Sequence, residues 1–104
     1  MTDVPRVWWL NHEFHVYQAN AVTWNAVPGL YVFARLDLPH GWVPLYVGES
    51  GDLSSRLSGH PKWPEAARLG ATHIHARIEP FGEERLKIEK QLIAAYQPWL
   101  NRNP

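Results

Sequence analysis

The sequence predicts an α/β domain of the α+β kind: a small central antiparallel sheet of about three strands flanked by helices, with an N-terminal hairpin extending the sheet or covering one face. Three observations predict it. Hydrophobicity alternates with period two over residues 29–37, 42–48 and 72–79, the signature of strands. Residues 83–96 are rich in good helix formers, with acidic residues in the first turn and Pro98 beyond the end. Glycine and proline pairs punctuate every junction between these segments.

Residues 6–17 read as an aromatic hairpin, with Val7-Trp8-Trp9-Leu10 and Phe14-His15-Val16-Tyr17 on either side of a turn near Asn11-His12. Residues 19–28 show little periodicity and end in Pro28-Gly29, as a connector does. In the first core strand Leu30, Val32, Ala34 and Leu36 face one way, and Tyr31, Phe33 and Arg35 the other. Leu38-Pro39-His40-Gly41 supplies turn chemistry. A second strand follows, in which Leu45 and Val47 oppose Tyr46. Pro44 cannot donate to a ladder, so this strand needs a bulge or a free edge there.

Ser50-Gly51-Asp52 offers capping side chains for a short helix to about Ser58, which Gly59 and Pro61 stop. Pro64 and Gly70 bracket another over residues 64–69. In the third strand Ile74, Ala76 and Ile78 lie on one face, with His73, His75 and Arg77 on the other. The 104 residues fit one domain, with 1–28 as hairpin and connector and 29–101 as core.

Composition narrows the chemistry. With no cysteine, disulfides, thiolate metal sites and cysteine nucleophiles are excluded, so a metal would sit on oxygen or imidazole. No apolar run reaches the roughly 20 residues of a membrane span, and the first residues, with Asp3, Pro5 and Arg6, lack a signal-peptide pattern. A cytoplasmic address is the default expectation. Ten Lys and Arg balance ten Asp and Glu, which argues against nucleic-acid binding by bulk charge. A domain of this balance that acts on DNA must cluster its basic residues or borrow affinity from a partner.

A few polar residues stand out from this frame. A turn of about 100° per residue places Leu86, Ile88, Leu92, Ile93, Ala95 and Tyr96 on one half of the long helix, and Glu89 inside that half. A carboxylate there asks for a cation, an ion pair with Arg85 one turn earlier, or a route to solvent at the edge of the stripe. In the first short helix Arg56 and His60 lie beside the stripe of Leu53 and Leu57; singly, each reads as an ordinary surface arginine and a helix-end histidine. Tyr31 and Tyr46 share a sheet face if they pair, whether as site residues or as core tyrosines. His73 and His75 have the i, i+2 spacing of zinc ligands, yet no third ligand stands near them in sequence.

Taken in order, these residues form a pattern. Gly29-Leu30-Tyr31, Leu45-Tyr46-Val47-Gly48-Glu49-Ser50, the run Asp52 to His60, Leu86-Lys87-Ile88-Glu89-Lys90-Gln91-Leu92-Ile93 and Tyr96-Gln97-Pro98-Trp99-Leu100-Asn101 together resemble the GIY-YIG endonuclease domain family. The likeness spans Gly29 to Asn101. It implies a metal-dependent endonuclease that hydrolyses phosphodiester bonds in DNA, with Glu89 holding Mg²⁺ or Mn²⁺. Tyr31 and Tyr46 would flank the phosphate, one of them acting on the attacking water. Arg56 would hold the phosphate, His60 would carry a proton or contact the phosphate, and Asn101 would brace the site or the end of the glutamate helix, with Gly29 and Gly48 in support. DNA is the implied substrate, with specificity from a protein partner, a homodimer or DNA shape.

One residue departs from the pattern: many members carry Lys, Arg or Gln where this chain has Glu49. An acid beside a phosphate repels substrate, and with the zero net charge it motivates a second reading, a weak or inactive module that binds nucleic acid or protein. A third is a Trp-rich interaction domain using Trp8 and Trp9.

Overall fold

The computed structural model describes residues 4–102, so the first three and last two residues of the expected 1–104 domain lie outside the described residues. In chain order the elements are β1 (Arg6–Trp9), β2 (His12–Gln18), β3 (Gly29–Asp37), β4 (Gly41–Ser50), α1 (Leu53–Leu57), α2 (Trp63–Arg68), β5 (His73–Ile78), α3 (Gly82–Tyr96) and α4 (Trp99–Arg102).

The sheet has five strands in the order β1-β2-β5-β3-β4, all neighbours antiparallel, rather than about three. The N-terminal hairpin is part of it: β2 pairs along β5, from His15 opposite Ala76 to Gln18 opposite His73. Its turn is Leu10-Asn11, one residue earlier than the sequence suggests, and Leu10 takes a positive φ of 55° there. Tyr96 of α3 accepts the Leu10 N–H at 2.9 Å and ties this turn to the helix.

Helices cover both faces. On one face Leu30, Val32, Ala34 and Val47 pack with Trp9 and Phe14 against Ile88 and Leu92 of α3. On the other, Tyr31, Phe33, Leu45 and Ile74 pack against Leu53 of α1, Ala66 of α2 and Leu100 of α4. The central strand β3 is therefore buried at every position from Gly29 to Ala34, with both of its alternating sets inside.

Pro44 resolves as the chain's chemistry requires, and in both ways at once: β4 is an edge strand, and its register slips between the pairs Phe33–Tyr46 and Ala34–Pro44. Leu45 is the extra residue. The slip turns Leu45 onto the face of Tyr31 and Phe33, so it lies with Tyr46 rather than opposite it. Along α3 the buried stripe narrows to Ile88 and Leu92 with Ile93 beside them, while Leu86 is 51% exposed and Ala95 and Tyr96 face outward. The helix ends on Gln97 in the left-handed region, before Pro98. The four-residue α4 carries no sequence signal of its own.

Asp52 caps α1, accepting from the Ser54 and Ser55 backbone N–H groups and from both serine hydroxyls. Leu53 N–H donates to the Val27 carbonyl at 2.9 Å, fastening the connector to the helix start. Among the described residues no helix is long and apolar enough to cross a membrane.

Candidate active site

Tyr31 and Tyr46 do share a sheet face, but not as a directly opposed pair. Tyr31 stands opposite Gly48 and Tyr46 opposite Phe33, which leaves the two phenol rings diagonal, with centroids 6.2 Å apart. Gly48 explains this placement. A Cβ built on it would lie 2.3 Å from both Cζ and Oη of Tyr31, so the ring occupies the space that any side chain at position 48 would need. Gly29 answers to a similar constraint, since a Cβ there would meet the Arg77 carbonyl oxygen at 2.4 Å.

The Tyr31 hydroxyl is the hub of the cluster. Arg56, reaching in from α1, donates from Nε at 3.3 Å, and His60 lies at 2.8 Å through Nε2. The Lys62 backbone N–H donates to His60 Nδ1 at 3.0 Å, which leaves the single proton of a neutral ring on Nε2, directed at Tyr31. Tyr31 Oη thus accepts two hydrogen bonds and keeps its own proton to donate. Burial, above all, pushes this phenol up to about 12; Tyr46 and Glu89 add to the rise and the Arg56 guanidinium opposes it. Tyr31 is a protonated donor at neutral pH. Burial, then the charges of Arg56 and Lys62, push His60 down to about 4, so the imidazole is neutral.

Exposure separates the members. Tyr31 and His60 are buried, Tyr46 is half-buried, and Arg56 is exposed. Its bond to Tyr31, first, together with the charges of the two tyrosines, raises Arg56 further, so a permanent cation faces solvent over the phenols. Phe33 packs edge-on against His60 at 5.0 Å and against Trp63 at 5.1 Å, closing the back of the cluster. These aromatic walls escaped the sequence reading because their spacing is that of ordinary core residues.

Glu89 comes from α3, on the other face of the sheet, and joins the cluster through its charge alone, which is felt at Tyr31. It is half-buried, and among the described residues its carboxylate forms no hydrogen bond and no ion pair. Burial first, and Glu49 second, raise it above the usual carboxylate range. Arg85, the bland partner one turn away, is engaged elsewhere: Nε binds Glu49 Oε2 at 2.9 Å, and Nη1 donates to the carbonyls of Glu79 and Pro80 at 3.1 and 3.2 Å. The anomalous Glu49 is therefore neutralised by Arg85, a partner 36 residues away that no local pattern reveals.

Asn101 lies beside the cluster rather than in it. Its side-chain oxygen accepts the Val47 N–H at 2.8 Å and its amide donates to the Val47 carbonyl at 2.9 Å, completing the outer edge of β4 next to Tyr46. His73 and His75 do sit on one face, but His75 Nδ1 accepts from Trp9 Nε1 and His73 Nδ1 contacts Thr72 Oγ1. Among the described residues no set of three or more His, Asp or Glu gathers as a metal site. Three cavities among the described residues are lined by none of Tyr31, Tyr46, Arg56, His60 and Glu89.

No protein-family model and no curated protein matches the chain. Solved structures do. The chain is similar to the GIY-YIG N-terminal endonuclease domain of UvrC from Thermotoga maritima, bound to magnesium as its catalytic divalent cation. The identity is 26% over 73% of this chain and 84% of that one, with a TM-score of 0.59. An asparagine-to-alanine point mutant of the same domain, also bound to its catalytic divalent cation, matches at 26% identity, 73% and 83% coverage and a TM-score of 0.59. A tyrosine-to-phenylalanine mutant matches at 25% identity, with the same coverage and a TM-score of 0.57. The fold is that of a GIY-YIG domain.

Proposed function

We propose that this GIY-YIG domain is a divalent-metal-dependent endonuclease that hydrolyses phosphodiester bonds in DNA. The observation that carries the reading is the Tyr31 hydroxyl holding the exposed Arg56 guanidinium and the buried His60, with the half-buried Glu89 carboxylate free of hydrogen bonds and ion pairs among the described residues.

A carboxylate so placed, with Arg85 one turn away drawn to Glu49, fits a hard divalent ion that takes oxygen ligands and keeps several waters. Mg²⁺ or Mn²⁺ held by Glu89 would stabilise the charge that builds on the phosphate as water attacks phosphorus. Arg56 binds the scissile phosphate, and because Tyr31 fixes its Nε, the guanidinium is pre-set in orientation. Tyr46 is the phenol that meets solvent, and it positions the attacking water. Tyr31, buried and held by two donors, is a positioning residue that offers its own hydroxyl proton forward. His60 acts as a fixed neutral donor that orients Tyr31 rather than as a base at neutral pH. Asn101, by completing the β4 edge at Val47, holds the strand that carries Tyr46.

The reading as a non-cleaving module drew on Glu49 and on zero net charge. The first objection loses force with Glu49 paired to Arg85. The second stands as a reason to expect that a protein partner, a homodimer or DNA shape supplies affinity and specificity. Incubation with branched, single-stranded and duplex DNA in Mg²⁺ tests the proposal: wild type cuts, and Glu89→Ala keeps its fold and does not. Cleavage by Glu89→Ala at the wild-type rate would remove the metal assignment.

A further inference from the structure

The segment of residues 19–28, featureless in sequence, folds over the sheet and roofs a cavity of about 380 Å³. That volume falls in the range of small-molecule sites, roughly 300 to 1,000 Å³. Its floor is the face that carries the active-site cluster. Two rows of side chains cross the strands on this face: His15, Ala76, Tyr31, Gly48, and beside it Tyr17, Ile74, Phe33, Tyr46. The cavity takes the β2 ends of both rows and the catalytic cluster takes the β4 ends. His15 lies two strands from Tyr31, roughly 10 Å at about 4.8 Å per strand. Leu53 of α1 forms the wall between them, on the same short helix as Arg56.

The lining suits a flat, hydrogen-bonding ligand. Tyr17 and Trp24 meet edge to face at 5.4 Å and supply aromatic surface. His15, Thr23 and Asn25 line the cavity, and their side chains form no hydrogen bond among the described residues. The roof is held to α1 by the Leu53 N–H bond to the Val27 carbonyl, so cavity and cluster are one framework.

We propose that this cavity binds an unpaired nucleobase of the cleaved strand, close to the phosphate held at Arg56. The identity of the occupant rests on the nuclease reading; the cavity and its lining do not. An unstacked base adds aromatic stacking and edge hydrogen bonds, which a domain of zero net charge needs in place of bulk positive charge. A nuclease so equipped prefers flaps, bulges or single strands over intact duplex.

Free deoxyadenosine and thymidine, which carry no phosphate, probe the cavity alone. Titrated into the 15N-labelled protein, they should shift the Trp24 indole N–H and the backbone amides of His15 and Asn25 saturably. Trp24→Leu, with its fold checked by melting, should weaken the midpoint roughly tenfold, within the range for loss of base–aromatic stacking. Tyr17→Leu provides the same test if the first variant does not fold. Absence of saturable shifts up to the solubility limit, equal midpoints in wild type and variant, or equal shifts with deoxyribose alone would overturn the proposal. Nucleoside binding by a protein that cuts no DNA would keep the cavity assignment and remove the nuclease reading, whereas cutting without nucleoside binding would do the reverse.

Discussion

Gly48→Ala tests the arrangement of the site more sharply than replacement of any of its polar residues. A Cβ at this position would stand 2.3 Å from Cζ and Oη of Tyr31 and 2.8 Å from Cε2, whereas carbon atoms rest at about 3.5–4.0 Å. The ring must move by roughly 1 Å or β4 must shift. Phe33, Tyr46 and His60 pack around that ring, so displacement strains the packing at a cost of about 1–3 kcal/mol. It also stretches the two hydrogen bonds at Oη, each worth about 1 kcal/mol. The expected loss is about 2–5 kcal/mol, a fall in melting temperature of at least about 10 °C for a domain of this size. Urea melts of Gly48→Ala, Tyr31→Val and the double variant measure how much of that loss depends on the ring. A coupling of about 1.5 kcal/mol or more is expected, because with the ring gone the methyl group has room. Additivity within about 0.5 kcal/mol would refute the claim that Tyr31 is what excludes a side chain at position 48.

Other consequences are open to simpler measurements. Burial pushes His75 down to about 3 and His60 to about 4, so the unfolded chain binds more protons than the native one below the ordinary histidine range. Stability should therefore be constant just above pH 7 and fall as pH drops through 6.5 toward 4, by up to about 1.4 kcal/mol per pH unit for each histidine. His75→Gln should roughly halve the slope between pH 6.5 and 5 in urea melts, and an unchanged slope would contradict it. Glu89 is raised, so without metal its ionisation costs stability that is lost as pH rises past the ordinary carboxylate range. Glu89→Gln should accordingly melt slightly higher than wild type in chelator at pH 7 and lose the rise that Mg²⁺ gives wild type; a lower melting temperature in chelator would be the opposite result. Asn101→Ala removes both bonds to Val47 and should cost about 1–3 kcal/mol, with cleavage reduced through Tyr46. Arg56→Ala should lower the cleavage rate roughly 100-fold or more while costing little stability, as expected of an exposed group that serves the charged transition state.

Local pattern revealed what local physics decides. Alternation placed β3, β4 and β5, Pro44 announced the bulged edge strand, and the order of the Tyr, Gly, Arg, His and Glu positions pointed to one family. What stayed hidden depended on partners distant in sequence. The pairing of β2 with β5 joins residues about sixty apart, and a period of two says which way a side chain points but not which strand lies beside it. The bulge at Leu45 reversed one residue because the slip falls after the alternation has been read. Leu86 sits in the apolar half of α3 on a helical wheel yet is exposed, since α3 meets the sheet along a strip only as wide as Ile88 and Leu92. Tyr31, Tyr46, Arg56 and His60, picked out together in the sequence, lie together in the fold, but the roles proposed for Tyr31 and His60 turn on a backbone N–H at Lys62 and on burial, neither of which has a sequence signature.

The carboxamide of Asn101 reproduces, in a single residue, the donor and acceptor that an additional strand would present to Val47. An outermost strand normally invites pairing from another molecule. Here the invitation is withdrawn at mid-strand, and extension of the sheet past β4 would first require displacement of the chain's own C-terminal turn. Self-association through this margin is thus disfavoured by the same contact that borders Tyr46, and the side of the sheet next to the Tyr31 cluster stays clear of a second chain.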